Sequence, residues 1–218
     1  MIDLLKSLFP INRSLTGNGV RETLSKLAEE IGMMQLVEVP SGTKVFDWTV
    51  SDEWNISEAY LLSPTGERIC DYQQHNLHLV GYSTPTEKTL SLCELQAHLH
   101  SIPELPDAIP YITSYYRRTW GFCLTHRQRQ QLPEGEYRVV IRGRLEPGHL
   151  TYGEVVIPAT EKTDKEVFFS TYVCHPSMAN NELSGPVVTT YLAKWIQSLS
   201  TRRFNYRFVF IPETIGSI

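Results

Sequence analysis

The stretch from residue 166 to residue 196 constrains the fold of this chain more than any other. It begins with the apolar run VFFSTYVC (167–174), whose length and content of β-branched and aromatic residues suit a buried strand. A polar loop follows, and from Pro186 to Ile196 the apolar positions recur at three- and four-residue steps, as in a helix. Open α/β sheets use this order of elements and bind ligands at the carboxyl ends of their strands. We therefore expect a functional site in the loop.

A second buried strand, from Phe204 to Ile211, also ends in a polar side chain. His175 follows the first strand and Glu213 follows the second, so the two side chains share one pocket if the strands are parallel neighbours. Neutral imidazole and carboxylate oxygens are the groups that hold zinc in hydrolytic sites, where one position stays open for water. Both residues also have a structural interpretation. His175 could cap the loop that follows it, and Glu213 could bind a helix N-terminus.

The part of the chain from about residue 45 to about residue 112 is predicted to be all-β. Two short apolar segments, AYLL (59–62) and RICDY (68–72), flank the turn sequence SPTG. The segment 77–82 continues the series as a predicted strand, and on it His75 and His78 would belong to opposite faces. These histidines are therefore interpreted as surface residues, and no metal site is predicted at His98 and His100. The change of pattern indicates an inserted β-domain over residues 45–112.

An aromatic cluster lies directly after this region. Its members are Tyr111, Tyr115, Tyr116, Trp120 and Phe122, with Arg117 and Arg118 between them. One interpretation is a buried hydrophobic interface between two domains, since aromatic side chains bury large apolar areas. The other is a substrate wall with an arginine that binds a carboxylate. The sequence leaves both open.

Composition excludes several classes of function. The net charge of -4, without a cluster of Lys and Arg, argues against a nucleic-acid surface. The start, MIDLLKSLFPINR, is too short and too interrupted for a signal peptide, and no apolar run is long enough for a membrane span. The four cysteines, at positions 70, 93, 123 and 174, are far apart, which predicts neither a disulfide framework nor a zinc knuckle. A cytoplasmic setting is expected.

Several passages resemble the aminopeptidase-like branch of the zinc peptidases, which includes bacterial leucyl aminopeptidases. The passages are TYVCHPSMANNELSGP (171–186), FIPETIGSI (210–218), INRSLTGNGVRETL (11–24), RRTWGFCLTHRQRQQLPEGEY (117–137) and GHLTYGEVVIP (148–158). The resemblance is greatest to bacterial aminopeptidase-like proteins with an inserted β-domain. It implies an α/β fold with a central mixed β-sheet flanked by helices (1–44 and 113–218), interrupted by an inserted all-β domain (45–112). Members are longer, so the chain is expected to be an N-terminal portion without a third, winged-helix-like domain.

The same resemblance implies the site residues. His175 matches a zinc ligand, and Glu213 matches the glutamate that acts as general base. Asn181 stands where the aminopeptidases have an aspartate that bridges two metals, and Thr214 stands where a second glutamate would be a ligand. A neutral amide cannot offset the charge of two cations as a carboxylate does. Glu182 is a candidate substitute ligand, and the remaining ligands would lie beyond Ile218.

The resemblance therefore implies a zinc-dependent aminopeptidase-like hydrolase that acts on a peptide or amide bond and is incomplete in this chain. One or two zinc ions would be held by His175, Asn181 and Glu182, and Glu213 would accept a proton from the attacking water. The expected substrate is a peptide-like or amide small molecule. The alternative is a non-catalytic binding or scaffolding module that keeps the peptidase shape. An exposed sheet edge would favour self-association, so a homo-oligomer is also expected.

Overall fold

The structure is a computed structural model and describes residues 1–213 of the chain. The chain divides into two compact units. One contains residues 1–53 and the chain from Pro147 onward, and the other contains Trp54–Glu146. The second unit extends to Glu146 because a long strand at residues 136–146 pairs with a strand at residues 86–91. The insertion is predicted over residues 45–112, and its status as an inserted domain stays a prediction.

The helices and strands of the two units are as follows. The helices are α1 (Ile2–Leu8), α2 (Asn18–Ile31), α3 (Leu92–Leu95), α4 (His126–Gln130) and α5 (Ser184–Ser198). The strands are β1 (Gln35–Pro40), β2 (Lys44–Val45), β3 (Trp48–Thr49), β4 (Glu53–Leu62), β5 (Arg68–Ile69), β6 (Thr86–Ser91), β7 (Leu99–His100), β8 (Phe122–Cys123), β9 (Glu136–Glu146), β10 (His149–Ile157), β11 (Glu166–Tyr172) and β12 (Asn205–Ile211). Within residues 1–213, no helix has the length and apolar character needed to cross a membrane.

The first unit is built on a mixed four-stranded sheet with the order β1-β10-β12-β11. The pairs β1–β10 and β10–β12 are antiparallel, whereas β11 and β12 are parallel. The parallel register places Tyr172 opposite Ile211 at the carboxyl ends of the two strands. The residues that follow each strand therefore leave the sheet side by side.

Helices α2 and α5 pack against this sheet, α1 packs against α5, and all three share one hydrophobic core with the sheet. Helix α2 is amphipathic, and Leu24, Leu27 and Ile31 on its apolar face are all buried. They belong to the same core cluster as Phe208 and Phe210 of β12, which are fully buried. Burial of one such side chain stabilises the fold by roughly 1.5–3 kcal/mol. The predicted fold class, an α/β fold with a central mixed sheet flanked by helices, is confirmed.

The second unit contains another four-stranded sheet, with the order β5-β4-β9-β6. The hairpin predicted around the turn SPTG is present, because Leu61 pairs with Ile69 across it. The strand predicted at residues 77–82 is wrong, since a 3-10 turn occupies Asn76–His78. There the ring of His75 accepts a hydrogen bond from the backbone N–H of Leu77, and such a local bond competes with strand pairing.

Candidate metal centre

The polar loop after β11 is folded tightly by its own backbone. The N–H of Val173 still donates to Ile211, but Pro176 has no N–H with which to continue the ladder. A single π-turn, Ala179–Leu183, then leads directly into α5, and the N–H of Leu183 donates to Met178 across it. One-turn π-helices of this kind are frequent at functional sites. The π-turn directs the side chain of Glu182 back toward the end of β11.

His175 and Glu182 form a buried hydrogen-bonded pair. The backbone N–H of His175 donates to Oε1 of Glu182 at 2.9 Å, and Nδ1 of the ring lies 2.9 Å from Oε2. Their exposed fractions are 5% and 1%. Because an ionised carboxylate can only accept, the ring proton lies on Nδ1. A metal would bind the neutral imidazole that keeps its proton on Nδ1, whereas without a metal Nε2 can donate a hydrogen bond to the carboxylate of Glu213.

Glu213 lies on the other side of the same ring. Its Oε1 is 3.1 Å from Nε2 of His175, and its side chain is one-third exposed. The backbone N–H of Glu213 donates to Sγ of Cys174, which fixes the end of β12 beside the end of β11. The structure therefore brings together His175, Glu182 and Glu213, with one carboxylate buried and the other open to solvent.

Arg13 binds the backbone of His175 and lies close to Glu182. No role is predicted for it from the sequence. Its Nε donates to the carbonyl of His175 at 2.9 Å and its Nη1 donates to the carbonyl of Leu8 at 2.6 Å. Nε also lies 4.0 Å from Oε1 of Glu182. Burial lowers the pKa of Arg13 to about 10, and the charge of Glu182 opposes this shift. Arg13 therefore stays cationic at neutral pH. The one sequence signal for it is its position within INRSLTG.

Cys174 is close to the cluster, but its protonation does not suit a metal ligand. Its Sγ lies 3.2 Å from Nδ1 of His175, and together with Glu182 the three residues have ligand atoms within 4.8 Å of one another. Burial raises the pKa of the Cys174 thiol, with the charge of Glu182 acting in the same direction. Zinc requires the thiolate. The nitrogen of His175 that suits a metal is therefore Nε2, on the side of Glu213.

Asn181 is not joined to this cluster by any contact among the described residues. It is exposed, and its backbone carbonyl accepts a hydrogen bond from the hydroxyl of Tyr172 at 2.9 Å. Thr214 lies outside the described residues. The donor atom that fits a zinc ion is thus Nε2 of His175, with the carboxylate of Glu213 beside it, whereas a catalytic zinc commonly takes three protein ligands. Both oxygens of Glu182 are engaged by His175, which favours an orienting role for this carboxylate.

Two known proteins of similar sequence, one curated relative and one solved structure, come from Clostridium acetobutylicum. A relative named "Putative polysaccharide biosynthesis protein with aminopeptidase-like domain" is 49% identical over 216 residues, which are 99% of this chain and 49% of the relative. A crystal structure of a "putative peptidase" from the same organism is 49% identical and has a TM-score of 0.94, covering 99% of this chain and 50% of that one. The chain thus spans about half the length of these relatives.

More distant structures share the fold. The zinc aminopeptidase BSAP from Bacillus subtilis is 12% identical with a TM-score of 0.53, over 96% of this chain and 60% of that one. A peptidase M28 precursor from Shewanella amazonensis is 12% identical with a TM-score of 0.56, over 98% of this chain and 64% of that one. The family model for a domain of unknown function, DUF4910, matches residues 2–218. The chain, whose fold is that of the zinc aminopeptidases, belongs to the DUF4910 family.

Proposed function

We propose that this chain provides part of the site of a zinc-dependent, aminopeptidase-like hydrolase that cleaves a peptide or amide bond. The observation that carries the proposal is the series Glu182–His175–Glu213, in which each ring nitrogen of His175 faces a carboxylate. The shared fold with zinc aminopeptidases and the aminopeptidase-like domain in the name of the relative support it.

His175 would bind the zinc through Nε2. A bound zinc ion lowers the pKa of water to about 7 and polarises a carbonyl oxygen. Glu182 holds the ring proton on Nδ1 and fixes the ring plane, as the carboxylate partners of metal-binding histidines do. Arg13 holds the carbonyl of the same residue, so His175 is fixed at both its backbone and its ring.

Glu213 would act as the proton acceptor. Its carboxylate lies beside the ligand atom of His175 and is partly open to solvent, so a water molecule and a substrate can reach it. A carboxylate in this place can take a proton from the attacking water and give it to the leaving amine. Asn181, which is neutral, would hold a second zinc poorly, and we therefore favour one ion.

The substrate would carry a peptide or amide bond. Because the relative's name connects it with polysaccharide biosynthesis, sugars that bear amide groups belong among the candidates. A cytoplasmic location and self-association through the free edge of β11 stay predictions.

A second function is favoured by a specific observation. Among the described residues, Nε2 of His175 is the one donor atom assigned to the zinc, and the residue in the place of a bridging aspartate is the neutral, exposed Asn181. A peptidase-shaped module that binds a ligand without hydrolysing it would have such a site. A measurement of bound zinc distinguishes the hydrolase from the non-catalytic binding module.

The test measures zinc per chain after equilibrium dialysis, and hydrolysis of leucine p-nitroanilide by the same samples. The variants are His175→Ala, Glu213→Gln and the control Glu161→Gln, which changes an exposed glutamate outside the cluster. We expect wild type and control to bind zinc equally, and His175→Ala to bind it at least tenfold more weakly. Because the remaining ligands are expected beyond Ile218, the same measurement is made on a version of the chain extended to full length. Absence of zinc from both forms, or zinc unaffected by His175→Ala, would refute the proposal in favour of the binding module.

A further inference from the structure

The unit formed by residues 54–146 contains a cavity of about 400 Å3. This volume is typical of sites that hold a small organic molecule. Much of the lining comes from residues 112–120, part of the aromatic cluster that the sequence singled out, and from His98 and His100. None of these residues belongs to the His175 cluster.

One wall of the cavity is a fixed aromatic surface. The imidazole of His98 stacks on the indole of Trp120, with ring centroids 3.7 Å apart and planes at 13°. Nδ1 of His98 lies 3.0 Å from the carbonyl oxygen of Trp120, so the ring proton is on Nδ1 and Nε2 is available to a ligand. Tyr115 is held edge-on against Tyr82 at 5.2 Å. Rings fixed in this way lose little freedom when a flat ligand binds.

Backbone hydrogen bonds fix another part of the lining, around Ile112 to Ser114. The N–H of Gly81 donates to Ile112, and the N–H of Ser114 donates to Gly81, both at 2.9 Å. A Cβ at position 81 would lie 3.2 Å from Cγ2 of Thr113, so the two segments are in close contact. The hydroxyl-bearing Thr113 and Thr119 contribute to the lining. The cavity is therefore formed before any ligand binds.

The lining is cationic and contains no carboxylate. Arg117 is exposed, and among residues 1–213 its guanidinium has no ion-pair or hydrogen-bond partner. Other arginines of this unit pair with carboxylates: Arg68 and Arg142 with Glu58, Arg127 with Asp107, and Arg138 with Glu87. A guanidinium presents a planar set of donors that matches a carboxylate.

We propose that this cavity binds a small cyclic carboxylate. The carboxylate would pair with Arg117, and the ring would lie against His98, whose imidazole is held in place by its stack on the buried Trp120. Nε2 of His98 would bond a polar substituent. A sugar acid and an aromatic acid share this chemistry. The proposal goes beyond the hydrolase function and does not depend on it.

The test uses calorimetric titration of the whole chain in EDTA, which keeps it independent of the zinc site. The probes are glucuronate and benzoate, with the neutral glucose and benzamide as counterparts. We expect at least one carboxylate to bind with a dissociation constant on the order of 1 mM. Its neutral counterpart should bind at least about tenfold more weakly, because the charge-assisted hydrogen bonds are lost. The probe that binds identifies a sugar acid or an aromatic acid.

Two variants make the test specific. Arg117→Gln removes an exposed charge at the cavity and should weaken binding at least about tenfold. The matched control, Arg144→Gln, removes an exposed charge from β9 and should bind like wild type. The proposal is overturned if neither carboxylate binds, if the neutral counterparts bind equally well, or if Arg117→Gln binds like wild type. Near-ultraviolet circular dichroism checks that both variants keep their fold.

Discussion

Replacement of Glu182 by Gln tests the buried cluster directly, because it removes a charge and keeps the shape. Glu182 accepts two hydrogen bonds from His175 and lies 4.0 Å from the buried guanidinium of Arg13. At an effective dielectric constant of 20, two unit charges at this distance attract by about 4 kcal/mol. The neutral variant does not bury a carboxylate, which offsets part of this loss. We therefore expect Glu182→Gln to lower the free energy of unfolding by about 3 kcal/mol, as when one partner of a buried pair is removed.

The variant also changes the tautomer of His175. An amide has one acceptor oxygen for the two N–H donors that Glu182 now satisfies. If that oxygen keeps the backbone N–H, the NH2 group faces Nδ1 and the ring proton moves to Nε2. Nε2 can then no longer bind a metal, so zinc affinity should fall by roughly 10- to 100-fold.

Hydrogen exchange measured by mass spectrometry is the assay for stability, because it assigns protection to peptides of the first unit alone. The cycle Arg13→Met, Glu182→Gln and the double variant should give a coupling energy of about 2 kcal/mol. The surface control, Glu161→Gln, should stay within about 0.5 kcal/mol of wild type. A Glu182→Gln chain as stable as the control, or additive effects in the cycle, would refute the pairing of Arg13 with Glu182.

Two further predictions concern the packing of each unit. Gly19→Ala places a Cβ 1.7 Å from the carbonyl oxygen of Asn12, so it should destabilise the first unit by more than about 2 kcal/mol although alanine favours helices. Thermal unfolding measures this, and a variant as stable as wild type would contradict the close approach. In the second unit, burial lowers the pKa of His78, whose Nδ1 bonds the carbonyl of Cys123. The unfolded chain then binds the proton first, so stability is lost as the pH falls from 7 through about 6.5. His78→Gln should reduce the dependence of the free energy of unfolding on pH by at most about 1.4 kcal/mol per pH unit. Urea titrations at pH 7.5, 6.5 and 5.5 measure this dependence. An unchanged dependence would show that His78 does not cause the loss of stability.

The elements of the first unit could be predicted because their signals are local. The apolar run before His175 and the helical periodicity after Pro186 correspond to β11 and α5, with bounds that differ by one or two residues. The proximity of His175 and Glu213 followed from one assumption, that their strands are parallel neighbours. The register of β11 and β12 has this arrangement.

Local signals failed where a side chain competed with the backbone. The alternation at residues 77–82 is typical of a strand, but the ring of His75 binds the backbone N–H two residues later and a 3-10 turn forms. Apolar periodicity reports which side of a segment is buried, and it contains no information about such a bond.

The sequence alone determined the α/β class, the strand–loop–helix that contains the site, and the two side chains at the strand ends. Only the tertiary structure decided which neighbours complete the cluster. The π-turn directs Glu182 inward while Asn181 is exposed, and Arg13 reaches the carbonyl of His175 from 162 residues away. The physical reason is that periodicity records burial within one segment, whereas the contacts of a buried charge depend on where distant segments meet when the chain closes around its core.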